Sequence, residues 1–151
     1  MQVLITEEKL NVNTYDKINV KIGDVISLVA GQGVSQINTI VKSYKCGEAI
    51  GGHKVVYLEG DKIYIADYLN LNIVNKIVGV TRQAGNAGDY VEVVIFGEIV
   101  YDFATSAGDY YLFTAGTLQT AIANNGIIVK IGKYVQDKVL FIEIGEYIIR
   151  N

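Results

Sequence analysis

Short apolar runs recur along this chain, set apart by Gly, Asn and Asp, and their rhythm is that of strands and tight turns. From 17 to 22 the pattern alternates, with Ile18, Val20 and Ile22 on one face, and Gly23-Asp24 then leads into Val25-Ile26-Ser27-Leu28-Val29. Residues 34–44 again read as strand. Lys54-Val55-Val56-Tyr57-Leu58 and Lys62-Ile63-Tyr64-Ile65-Ala66, joined by Glu59-Gly60-Asp61, predict a hairpin. Residues 90–96 are apolar at nearly every position apart from Glu92, which predicts a strand covered on both faces, by its own domain or by another subunit.

Further along, Tyr110-Tyr111-Leu112-Phe113 follows Gly108-Asp109, and Gly97-Glu98 leads into Ile99-Val100-Tyr101. The last long pair is 127–134 and 139–144, with Gln136-Asp137-Lys138 as its turn. Residues 67–75 differ: they suit a short helix or a turn, and Asn70, Asn72 and Asn75 argue against a sturdy helix because Asn favours caps and turns. A Gly followed by an acid precedes strands at Gly23, Gly47, Gly60, Gly88, Gly97 and Gly108, at no fixed spacing. These pairs are turn chemistry and not a solenoid repeat.

Composition agrees. The chain has 21 Ile, 19 Val and 8 Thr against 9 Leu and 1 Met, with 11 Tyr and 4 Phe. β-branched and aromatic side chains fit a pleated, half-buried surface and lose rotamer freedom in a helix. The expected fold is all-β, a sandwich or barrel-like domain with at most one short helix, closely packed or intertwined as an oligomer. At 151 residues it has room for one core of proper size.

Charge narrows the function. With 13 Lys and Arg beside 16 Asp and Glu, the net charge is -3, and the nearest thing to a basic stretch, Lys130, Lys133 and Lys138, is interrupted by Asp137. Nucleic-acid binding needs a concentrated basic surface, so no nucleic-acid partner is expected. No apolar run approaches the ~20 residues of a membrane helix, and the opening Met1-Gln2-Val3-Leu4-Ile5-Thr6-Glu7-Glu8-Lys9 turns acidic at once, unlike a secretory leader. A cytoplasmic site of synthesis with no membrane partner is the expectation. A lone cysteine, Cys46, implies no internal disulfide.

Candidate chemistry is sparse. Cys46 and the one histidine, His53, would form a dyad only if their side chains met; the plainer reading is a packed cysteine and a surface histidine. Zinc needs three or four ligands and no paired-ligand motif is present, nor is there an Asp-x-Asp-x-Asp calcium loop. Gly31-Gln32-Gly33 lacks the Gly-Lys-Ser/Thr that completes a phosphate loop. Glu143 with Glu146, or Glu92 with Glu98, are the carboxylate pairs a glycosidase would use, though Glu143 lies on the polar face of an apolar strand. Tyr101, Tyr110 and Tyr111 fall in neighbouring strands and offer an aromatic patch, against the plainer reading of Tyr as a favoured strand residue. No catalytic, cofactor-binding or metal-ligating residue is assigned, and no enzyme is expected.

Between 46 and 149 a series of motifs follows in order: Gly47-Glu48-Ala49-Ile50, Val56-Tyr57-Leu58, Lys62-Ile63-Tyr64-Ile65-Ala66-Asp67, Val78-Gly79-Val80, and a loop closing in Ala87-Gly88-Asp89. Then come Val91-Glu92-Val93, Gly97-Glu98-Ile99, 108–113, Gly116-Thr117-Leu118, Ile131-Gly132-Lys133 and Leu140-Phe141-Ile142-Glu143-Ile144. Each is a turn-and-strand motif of low specificity, but their order resembles a small all-β domain of phage virion proteins. The departure is Gly51-Gly52-His53, where the family has a shorter turn.

That resemblance implies capsid decoration proteins, head fibres and parts of tail fibres or spikes, often trimeric. The function it implies is a non-enzymatic structural protein of a bacteriophage virion, a homotrimer made in the host bacterial cytoplasm. It would bind the capsid surface as a decoration protein or short head fibre, with the major capsid protein or another virion protein as partner. The small size favours the head. The alternatives are a tail fibre or spike component, or a carbohydrate- or receptor-binding β module that recognises a host-surface glycan. Residues 1–45 lie outside the resemblance and are read as a β-rich segment, either a particle anchor or extra strands; 46–151 is the β domain.

Overall fold

A computed structural model describes the backbone of Lys17–Ile22 and Asp24–Val29, and residues 39–151 in full. The chain divides into two compact units, Met1–Gln36 and Ile37–Asn151. In the first, β1 (Lys17–Ile22) and β2 (Asp24–Val29) pair antiparallel with Ile22 opposite Asp24, the hairpin expected from the alternation around Gly23. The reading of 34–38 as strand, and of 1–16 as part of an anchor, lies outside the described residues.

Among its described residues the second unit carries ten strands: β3 (Ile40–Cys46), β4 (Val55–Glu59), β5 (Lys62–Ile65), β6 (Ile77–Thr81), β7 (Tyr90–Val100), β8 (Asp109–Leu112), β9 (Leu118–Gln119), β10 (Gly126–Gln136), β11 (Val139–Glu143) and β12 (Tyr147–Arg150). The molecule is all-β, with no helix as long as seven residues among the described residues. The stretch 67–75 contributes only a 3-10 turn, Leu71–Ile73, capped by the side chain of Asn70, which accepts from the Asn72 N–H. That cap is the local competition that keeps Asn-rich sequence from extending a helix.

Five strands close a barrel in the order β3-β5-β4-β6-β7 and back to β3. All its pairings are antiparallel except a short parallel seam between β3 and β5, where Lys45 and Cys46 lie opposite Lys62 and Ile63. Beyond the seam the Glu48 carboxylate takes over from the missing strand and accepts from the Ile65 N–H at 2.7 Å. β3 therefore belongs to the barrel, although its residues up to 45 fall in the segment that the sequence reading set apart. The expected β4–β5 hairpin is present, and Gly60 in its turn has φ +64°.

β7 is shared. Its first half pairs with β3 and β6 in the barrel, and from Phe96 to Val100 it pairs with β11, which begins an outer sheet β7-β11-β10-β8-β9. The sequence suggested a strand ending at Phe96 and a turn at Gly97. The strand instead continues through this point, because Gly97 adopts φ +101° and brings its backbone against Thr39, where a Cβ would sit 2.6 Å from the Thr39 Cα. A residue without a side chain lets one strand serve both layers.

Two hydrophobic clusters follow from this layout. Cys46, Ile50, Val56, Ile63, Val91 and Val93 fill the barrel. A larger cluster joins the outer wall of the barrel, Val55, Val80 and Val94, to Ile99, Leu112, Ile127, Ile131, Leu140 and Ile142 of the outer sheet and its neighbours. Each such side chain removed from water contributes roughly 1.5–3 kcal/mol. Two-sided burial in β7 is confined to Val93 and Val94; Tyr90, Glu92 and Phe96 are exposed. The strand buried at every position is the start of β10, Gly126-Ile127-Ile128-Val129.

Candidate functional site

Of the residues that sequence singled out for chemistry, Cys46 and His53 stay apart, while His53 and Glu98 line one cleft. Cys46 is 1% exposed inside the barrel, and burial, with the Asp89 carboxylate adding to it, pushes its thiol up, away from a thiolate. His53 sits in the loop before β4 with φ +59°, and its ring stands edge-on to Tyr101 at 5.6 Å. The loop is pinned by Thr81, which is fully buried: its hydroxyl donates to the Gly51 carbonyl and accepts from the Lys54 N–H, both at 2.9 Å. The two side chains thus keep different company, cysteine in the barrel and histidine against the outer cluster's Tyr101.

The carboxylate pairs are also dispersed. Glu92 is engaged with Arg82 at 3.3 Å on the surface. Glu98 lines an open cleft of about 480 Å³ together with Thr39, His53, Arg82 and Val139. Glu143 lines a second, of about 490 Å³, with Lys42, Tyr44, Ile77 and Phe96. Glu146 is exposed just before β12. Among the described residues no group of three or more His, Cys, Asp or Glu side chains is placed to hold a metal ion, and no helix is long and apolar enough to cross a membrane.

The aromatic patch is corrected by the structure. Tyr101 and Tyr110 are 4% and 3% exposed, edge-to-face at 6.5 Å, and the Tyr110 hydroxyl donates to the Ser106 carbonyl at 3.0 Å. Tyr101, just past β7, and Tyr110, on β8, fill the larger core, and Tyr111 is half-buried, so the three do not form a stacking plate at the surface. The surface aromatics lie elsewhere, at Tyr90, Phe96, Phe103 and Tyr147.

One structural residue escaped sequence reading. Asp67, two residues past the end of β5, accepts from the N–H groups of Leu69 and Ala115 and from the Thr114 hydroxyl, at 2.9, 3.0 and 3.1 Å. Burial works to raise its pKa, but these donors outweigh that and hold the carboxyl below its ordinary range. Asp67 thereby holds Ala115 at φ +50°. The local signal was an Asp followed two residues on by a free N–H; the long-range half had none.

What the described surface offers is contact area. Both clefts are open, while large apolar side chains stand outside them, Phe103 at 71%, Tyr90 at 68% and Ile148 at 64% exposed. No protein-family model matches the chain, and no curated protein matches it in sequence.

Proposed function

We propose that this chain is a non-enzymatic structural protein of a bacteriophage virion, carried on the capsid surface as a decoration protein or short head fibre and assembled from several copies. The observation that carries the reading is the exposed apolar surface on a closely hydrogen-bonded β scaffold. Proteins that work by buried area present such a surface, because contiguous apolar exposure marks interaction sites. The ordered series of turn-and-strand motifs supplies the virion context. The partners are the major capsid protein or a neighbouring virion protein, and synthesis takes place in the bacterial cytoplasm.

The test is co-sedimentation of the purified protein with undecorated capsids, alongside its mass by light scattering. Saturable binding to heads by an oligomer, a trimer in the form the resemblance implies, is the expected result. A protein that ignores heads and scores on a glycan array would replace this reading with a tail-fibre or carbohydrate-binding one.

A further inference from the structure

β12 is out of keeping with its composition. Tyr147, Ile148, Ile149 and Arg150 are all exposed, although three of the four are apolar. The strand continues β11 along the same side of β10 after an interruption at Ile144-Gly145-Glu146, where the Gly145 N–H still donates to the Lys130 carbonyl. β11 is covered on its other edge by β7, but β7 turns into the barrel at Phe96. Among the described residues, no strand pairs with the outer edge of β12. An apolar edge left open templates pairing with another chain.

The surroundings extend this edge into a patch. The Asn75 side chain donates to the Tyr147 hydroxyl at 3.5 Å, the Ile127 N–H donates to the Tyr68 carbonyl, and Arg150 donates to the Ala123 carbonyl at 3.3 Å. The first and last of these bonds bring the turns bearing Leu71 and Ile122 beside the strand, while the Tyr68 turn closes the other edge of β10. With Tyr147, Ile148 and Ile149, Leu71 and Ile122 are five of the twelve large hydrophobic residues exposed among the described residues.

We propose that β12 binds a second copy of this chain, by antiparallel pairing of β12 with β12 about a two-fold axis at Ile148. Two identical edges related by a two-fold axis meet antiparallel, and such a contact is self-complementary. Centred on Ile148, it sets Tyr147 opposite Ile149 of the second copy and Glu146 opposite Arg150, twice over. The sequence Glu146-Tyr147-Ile148-Ile149-Arg150 is thus a palindrome of charge and apolarity. A shift by one residue to either side sets Arg150 against Gly145 or Tyr147 and loses both ion pairs. Alternation puts Glu146, Ile148 and Arg150 on one face of the strand, so each charge meets its opposite on the same side of the new sheet. A short strand buries little area, and the apolar turns beside it supply the remainder. The contact is independent of the virion reading: it joins chains, or trimers, in pairs.

Charge reversal tests it. Glu146→Arg sets Arg against Arg at both ends, and Arg150→Glu sets Glu against Glu; each is expected to weaken self-association about tenfold or more, with unfolding midpoints unchanged at concentrations too low for association. An equimolar mixture of the two variants restores opposite charges at every position and is expected to regain the wild-type mass as a mixed pair, read by analytical ultracentrifugation. A wild-type protein that stays monomeric, an assembly that neither variant loosens, or a mixture that stays apart would each overturn the proposal.

Discussion

The first half of β10 and the whole of β12 are partners residue for residue, Gly126 with Arg150, Ile127 with Ile149, Ile128 with Ile148 and Val129 with Tyr147. Their middle positions hold the same residues. Yet Ile127 is completely buried and its partner Ile149 is 47% exposed, and Ile128 and Ile148 differ in the same way. Paired side chains point to the same face of a sheet, so the difference arises from what lies over each strand. The larger core reaches β10 through Ile127 and Val129 and stops short of β12. The Tyr68 carbonyl lies over Gly126 and closes in the start of β10, while β7, which flanks β11, has left before β12 begins. Composition selects strand; the neighbouring layer selects burial.

The largest effect is expected at the buried member. Ile127→Ala leaves a cavity in a core closed on all sides and should lower unfolding stability by about 2–5 kcal/mol. A midpoint in denaturant indistinguishable from wild type would mean that the core does not reach β10 as described.

Next comes the polar pin of the barrel side. Thr81→Val keeps shape and volume but strands the Lys54 N–H and the Gly51 carbonyl, at an expected cost of about 1–3 kcal/mol. Hydrogen exchange at Lys54 should quicken in that variant while β10 stays protected. If both regions exchanged faster together, barrel and outer sheet would unfold as one unit and the contrast between them would lose its meaning.

The turns over β10 respond to pH through Asp67. Its folded-state pKa is held down, so its contribution is present at and above the ordinary carboxylate range and is lost as pH falls below it. Acid unfolding curves of the wild type and Asp67→Asn are expected to converge at low pH and to separate, with the wild type more stable, towards neutrality. Parallel curves would show that the donors from Leu69, Ala115 and Thr114 do not favour the charged form.

Much of the strand pattern was legible because it is local. Glu59-Gly60-Asp61 and Gln136-Asp137-Lys138 give their hairpins, and Asp137 and Lys138 both take positive φ. Barrel closure was not legible, since the β3–β5 seam and the β3–β7 pairing join segments with no shared sequence signal. Gly97 misled for the same reason: whether a glycine breaks a strand or bends it depends on the distant Thr39. Tyr101 and Tyr110 read as surface aromatics because tyrosine suits either side of a strand, and only the covering layer assigns the side. The palindrome around Ile148 was in plain view, but without an open edge it had no meaning.

The smallest expected effect is the most informative about β12. In the isolated chain Ile149→Ala removes a side chain already half in water and should change stability by no more than about 0.5 kcal/mol at concentrations too low for association. Its partner in the ladder, Ile127, costs several times more when truncated in the same way. Raising the protein concentration should widen the Ile149→Ala deficit, because association couples to folding by mass action and a contact made only between copies stabilises only when copies meet. A deficit independent of concentration and as large as that of Ile127→Ala would instead mean that β12 is covered within its own chain, and the asymmetry between the two strands would vanish.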